Sequence, residues 1–322
     1  MAASGAAWCA AAPESVMETS SLRLPRFEIT VQNESSLTAV FTVSSDLIWL
    51  RGHFEGLPVL PGAAELLFIT ALAERKGAFP GHEVRITGAD SVKFTRPVTP
   101  GARLLAELSP DEAFGRIGFR ITSAKDGTLF SSGTLLSDGL AEHGAFHAPP
   151  SEVPFPPRPV MDRETLSSVM AQKEPMRMAD ELLSYGESPD EGLVRGAASF
   201  RPVPGKCAAC ADGGIEPVLI TESMAQAVCA VMSEWHLRRS LPVPMGMLLG
   251  VRGLRLDPDA LSRTGGSEFV ASAESCFFDD TRGVFSCSVS LKGRTAAEGR
   301  LTVLWLMPGA LRELIGGAAG QS

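Results

Sequence analysis

The chain has 322 residues, enough for one large or two medium domains. Its formal net charge of -8 excludes a general nucleic-acid binder, because neutralising phosphates needs a surplus of Lys and Arg, and the single Tyr argues against stacking platforms for single strands. Hydrophobic residues make up 44%, so a sizeable core is available, and no run approaches the ~18 uninterrupted apolar residues that a membrane span needs.

In chain order, residues 1–24 are rich in Ala and Ser, lack a basic start, and read as a flexible leader rather than a signal peptide. Phe27–Val31 and Leu37–Val43 are predicted strands. A loop over 50–62 then leads into a predicted helix over 62–76, whose start is marked by Pro61-Gly62. Strand-like segments follow near 83–95, 102–109, 116–124 and 128–137, with Asp126-Gly127 as a hairpin turn. The stretch 139–160 is dense in Pro, has no apolar periodicity and reads as a linker. Beyond it Leu193–Phe200 is strand-like, a loop over 201–216 precedes a predicted helix over 217–237, and strands are expected near 245–256, 267–278, 283–292 and 296–306. Residues 309–322 read as a tail.

The same order therefore occurs twice: strands, one long helix, then a strand meander. Both helices, GAAELLFITALAE and PVLITESMAQAVCAVM, are apolar on nearly every face, as a helix wrapped by a sheet should be. The predicted fold class is α+β, a double hot-dog in which two curled antiparallel sheets each wrap one central helix. The domains are expected at 25–138 and 161–308. Of the six Cys, Cys207 and Cys210 form a C-x-x-C without the second pair or the His of a zinc site and read as an incidental loop pair; Cys229 reads as core packing. No metal or redox cofactor is called for, and a cytoplasmic setting fits best.

The chemistry is carried by a split pair. His53 lies in the loop Gly52-His53-Phe54-Glu55-Gly56, with no carboxylate at the matching position of the helix that follows. Glu222 lies in an almost wholly apolar helix, with no His in the loop before it. Each half holds one member of an acid/base couple, so the economical reading is that the halves fold alike, pack face to face and complete one active site between them. Glu222 is costly to bury ionised, which suits a general acid, and Gln226, one turn on, could hold its carboxyl. The alternative is a partly exposed carboxylate stabilised in the first turn of the helix. A lone loop His is usually structural, but here Gly52, Gly56, Pro58 and Pro61 fix its approach to a helix start. The amides of Gly62 and Ala63 would face a developing oxyanion there. Together these groups suit proton abstraction next to a carbonyl with loss of a hydroxyl.

The run His53-Phe54-Glu55-Gly56-Leu57-Pro58-Val59-Leu60-Pro61-Gly62 resembles the HFPGxPVxPG motif of the FabZ/FabA-type beta-hydroxyacyl-ACP dehydratases, and Val92-Lys93-Phe94-Thr95-Arg96-Pro97-Val98-Thr99-Pro100-Gly101 resembles their later strand and turn. Phe130-Ser131-Ser132-Gly133 is similar to the ApeI-type dehydratases of aryl polyene synthesis. In the second half, Ile220-Thr221-Glu222-Ser223-Met224-Ala225-Gln226 resembles the family's IxEAxAQ helix, and Gly246-Met247-Leu248-Leu249-Gly250-Val251-Arg252 resembles the ApeP-type partner. The chain thus resembles a fusion of these two hot-dog partners over about 27–138 and 160–306. There are departures: Leu67 stands where the family's acid lies, Glu65 is out of register by two, Ala208 stands at the second His position, Glu55 replaces a Pro, and Lys173-Glu174-Pro175-Met176 replaces a His-containing turn.

What the resemblance implies is a dehydratase that converts a 3-hydroxyacyl thioester on acyl carrier protein to a trans-2-enoyl thioester, in fatty acid, polyene or polyketide synthesis. His53 would take the C2 proton and Glu222 would protonate the leaving hydroxyl, with Gln226 orienting it. The site at Leu67 would be vestigial. An acyl tunnel is expected along Leu66, Phe68, Met224 and Val228, and a basic rim for the carrier at Arg51, Lys93, Arg96, Arg201 and Lys206. Further self-association is left open. The rival readings are a hot-dog thioesterase and a non-catalytic acyl-binding or scaffolding protein.

Overall fold

In the computed structural model, residues 23–319 are described except 112, 114, 139–145, 147–155, 189–191, 204–206, 209, 212–213 and 264–265. Most of the expected leader and linker, and Lys206, lie outside the described residues.

The first half contains β1 (Glu28–Gln32), β2 (Leu37–Thr42), α1 (Gly62–Ala73), β3 (Ile86–Phe94), β4 (Arg103–Pro110), β5 (Arg116–Ser123) and β6 (Leu129–Ser137). The second contains α2 (Arg163–Val169), β7 (Glu181–Ser188), β8 (Leu193–Phe200), the short pair β9 (Cys210–Ala211) and β10 (Gly214–Ile215), and α3 (Ile220–Arg238). It continues with β11 (Met245–Leu256), α4 (Pro258–Ser262), β12 (Phe269–Phe278), β13 (Arg282–Leu291), β14 (Arg294–Leu306) and α5 (Pro308–Ala319). The elements α2, β7, β9, β10, α4 and α5 are additions to the sequence reading; β9 and β10 form within the expected loop 201–216, and α5 over residues expected to be a tail.

Strand patterning follows the two-residue period of a half-buried sheet. Leu104, Ala106 and Leu108 in β4, and Ile117, Phe119 and Ile121 in β5, all point inward and are buried. They cover α1, in which ten of twelve residues are buried, so that an apolar helix meets sheet on most of its circumference.

The twelve long strands form one antiparallel sheet in the order β1-β2-β4-β5-β6-β3-β11-β14-β13-β12-β8-β7. The order is palindromic about the β3–β11 junction, so each half repeats the other by a pseudo-two-fold, and β7 is the counterpart of β1. The expectation that the halves pack face to face is corrected here: the two curled sheets join edge to edge, with Gly250 opposite Lys93, Val251 opposite Val92 and Arg255 opposite Gly88. Edge joining satisfies the peptide groups that two open edges would leave exposed. The strands come so close that a Cβ on Gly88 would lie 2.1 Å from the Leu254 carbonyl oxygen.

Candidate active site

The His53 loop is built by glycine. Gly52 and Gly56 have φ of +77° and +70°, a region open to Gly at no steric cost. Backbone bonds between Phe54 and Leu57, and from the Val59 amide to the His53 carbonyl, close the loop. His53 is only 8% exposed, and its Nδ1 lies 2.9 Å from the Val59 carbonyl oxygen. A carbonyl can only accept, so Nδ1 carries the proton, and in the neutral ring Nε2 holds the free lone pair. That is the tautomer a general base needs.

Pro61 caps α1 without a side-chain hydrogen bond. The amides of Gly62 and Ala63 are thus among the orphan donors of a helix start. Gly62 is required by space: a Cβ there would lie 2.9 Å from the Phe94 ring.

Glu222 sits in the first turn of α3 and is 4% exposed, so it is both at the helix start and buried. Gln226, fully buried one turn on, donates to Glu222 Oε1 at 2.8 Å and to the Met176 carbonyl at 2.8 Å. Its own oxygen accepts from the amides of Met178 at 2.6 Å and Ala179 at 3.2 Å. Two donors and two acceptor positions are all used, which fixes the amide in one orientation. Desolvation by burial pushes the Cys229 thiol up to about 12. Cys229 packs as expected, its sulfur filling the space beside Gly246, where a Cβ would lie 2.6 Å away.

The turn 172–179 bridges these two groups. The Lys173 amide donates to the Gly52 carbonyl at 2.9 Å, and the Lys173 carbonyl accepts from Met176 at 2.8 Å. Met176 is the residue whose carbonyl holds Gln226. A continuous hydrogen-bonded path therefore runs from the residue before His53, across the halves, to Glu222. Phe54 stacks on His53 with ring centroids 4.2 Å apart and is buried with Met245 and Leu311 of the second half. The sequence reading treated Lys173–Met176 only as a departure from a motif. Its bridging role is made by peptide groups, which leave no mark on residue type.

The counterpart positions hold no such couple. Leu67 is buried in the main core, and Ala208 is fully buried, its amide donating to the Pro175 carbonyl at 2.9 Å. Glu65 is buried on α1, and burial pushes its carboxyl up to about 8 against a smaller lowering by Ser131. Neither Glu65 Oε2 nor Ser131 Oγ completes a hydrogen bond, so the two meet without the geometry of a formed one.

Leu66, Phe68, Met224 and Val228 are all fully buried in the main core, and Phe68 meets Phe41 edge-on at 5.9 Å. Arg51, Lys93 and Arg96 are exposed, whereas Arg201 is also exposed but pairs with Glu268 at 3.4 Å. Among the described residues, no group of His, Cys, Asp and Glu could hold a metal ion, and no helix is long and apolar enough to cross a membrane.

In this double hot-dog the buried His loop of one half is tied by hydrogen bonds to the turn that holds a buried acid of the other. The fold matches the PpsC dehydratase domain of Mycobacterium tuberculosis, at 17% identity and TM-score 0.57 over 84% of this chain and 94% of that one. It also matches a trans-AT PKS dehydratase domain from Brevibacillus brevis, at 15% identity and TM-score 0.60 over 86% and 96%. The ApeI dehydratase family matches residues 29–134, and the ApeP dehydratase family matches 164–314. The 3-hydroxyacyl-[acyl-carrier-protein] dehydratase FabZ of Herpetosiphon aurantiacus is 40% identical over 93 residues, 26% of this chain and 64% of that protein. FabZ of Clostridium perfringens is 32% identical over 111 residues, 32% of this chain and 78% of that protein. The chain belongs to the FabZ-type hot-dog dehydratases, with an ApeI-like and an ApeP-like half in one polypeptide. This places it among enzymes that dehydrate 3-hydroxyacyl thioesters.

Proposed function

We propose that His53 and Glu222 form one composite site that dehydrates a 3-hydroxyacyl thioester carried on acyl carrier protein. His53 Nε2 takes the C2 proton. The electron pair of that C–H bond becomes the C2–C3 double bond as the C3–O bond breaks. Glu222 gives its proton to the departing hydroxyl, which leaves as water. The Gly62 and Ala63 amides stabilise charge on the thioester oxygen. Returning the proton from His53 to Glu222 resets the site.

The observation that carries this reading is the saturated Gln226 amide, which ties the buried acid to the turn on which the His53 loop docks. A carboxyl held in one rotamer and a His of fixed tautomer supply the preorganisation that general acid–base catalysis requires.

The test is incubation of the purified chain with 3-hydroxyacyl carrier protein, followed by mass spectrometry of the carrier. Loss of one water with formation of the trans-2-enoyl product is expected. Release of free acid, equally fast in His53→Ala, would replace this reading with a thioesterase. Carrier binding without turnover would leave a scaffold.

A further inference from the structure

The outer face of the sheet at the β3–β11 junction carries a feature that costs the fold. Arg252 of β11 lies directly opposite Arg300 of β14 in the antiparallel register. Like charges in opposed cross-strand positions destabilise a sheet. Lys93, paired with Gly250 two residues along β11, and Arg282 at the start of β13 add two more cations to the same patch. All four side chains are exposed, and among the described residues none makes an ion pair. They line one depression of about 480 Å³, together with Val251, Thr302 and Phe277. Phe277 is 50% exposed, among the most exposed large apolar side chains described. The nearby Asp279 accepts from the Thr281 hydroxyl and from the amides of Thr281 and Arg282 in its own turn, and the Arg282 charge adds to the lowering of its carboxyl. Glu274 is the next acid along the row, reached from Arg300 through Ser286 of β13.

This concentration of cations, none of them in an ion pair among the described residues, stands on a chain whose net charge is -8. Its Lys93 lies on the outer face of β3, the strand whose next residue, Phe94, turns inward and packs its ring on Gly62 at the start of α1. We propose that the Lys93–Arg252–Arg282–Arg300 face, with Phe277 as its apolar anchor, is the surface on which the acidic carrier protein docks. The proposal rests on the reading that substrate arrives on such a carrier. Exposed cations around an exposed aromatic suit an acidic protein surface, because rim charges steer encounter while a buried ring supplies contact. The sequence reading named Lys93 for this rim but not Arg252, Arg282, Arg300 or Phe277.

The experiment uses the full chain and two substrates, a 3-hydroxyacyl carrier protein and the matching N-acetylcysteamine thioester. Arg252→Glu should raise KM for the carrier substrate at least about tenfold and lower its kcat/KM relative to the small thioester by the same factor. The wild-type carrier KM should rise steeply with salt and the variant's much less. The same substitution turns an opposed Arg pair into an Arg–Glu pair, so Tm should rise by about 1–2 °C. Phe277→Ser should weaken carrier binding without changing the salt slope. An unchanged carrier KM in Arg252→Glu overturns the proposal, as does an equal loss on both thioesters. Inhibition of both substrates alike by inorganic phosphate would mark a phosphate pocket and overturn it too. If the wild type turns over neither thioester, the dehydratase reading fails, and titration of the carrier protein against wild type and Arg252→Glu still decides the docking surface.

Discussion

The Lys173 amide donates to the Gly52 carbonyl at 2.9 Å, so the residue before His53 is bound to the opposite half of the chain. Gly52 has φ +77°, and a Cβ on it would lie 2.3 Å from the Lys173 carbonyl oxygen. Gly52→Ala is therefore expected to push the loop off the 172–179 turn. A displacement of about 1 Å at a catalytic group can cost roughly a hundredfold, so kcat should fall by about that factor. Steady-state kinetics beside a thermal melt would check this; an unaltered kcat would show that His53 does not depend on the contact.

Acid and base should act as a unit. His53→Ala and Glu222→Gln are each expected to slow dehydration by at least about a hundredfold. The double variant should be little slower than the worse single one, because removing one member already disables the other. Multiplicative losses in single-turnover assays would mean that the two residues do not share a step.

Glu65, by contrast, should matter to stability and not to turnover. In the folded chain its carboxyl keeps its proton up to about pH 8, while the unfolded chain releases it near 4.5. Between those values the native state binds more protons. Its contribution is therefore full below 4.5 and is lost as pH rises toward 8. Glu65→Gln, which cannot ionise, should flatten the decline of Tm across that window and leave turnover nearly intact. A large loss of activity in a folded Glu65→Gln would assign catalysis to the wrong carboxylate.

The C-terminal helix α5 buries Leu311 against Phe54, the residue stacked on His53. Leu311→Ala should cost about 2–5 kcal/mol locally if the gap stays open. It should lower kcat more than it lowers the global Tm, because the cluster is separate from the main core. Equal behaviour of kcat in wild type and variant would detach α5 from the site.

Much of this was legible in the residues alone. Apolar helices followed by alternating strands, repeated on either side of a Pro-rich stretch, determined two hot-dog halves, because a helix without a polar face must be wrapped. His53 without an acid and Glu222 without a His pointed to the composite site proposed above, and the flanking Gly and Pro residues located the loop and helix start. The weak elements escaped: β7 is a polar edge strand holding Gly186, and α5 has an apolar face at Leu311, Leu314 and Ile315 but carries Gly316 and Gly317, which are poor helix formers.

Only the tertiary structure decided how the halves meet. Sequence suggested faces; the fold joins the β3 and β11 edges, where backbone pairing is indifferent to side-chain type. It also decided what holds the site. Gln226 reaches the peptide groups of Met176, Met178 and Ala179, and Gly52 reaches that of Lys173. Peptide groups are alike at every position, so contacts made through them become visible only when the chain has brought distant segments together. For the same reason the opposition of Arg252 and Arg300 is set by register, which no local pattern around either residue encodes.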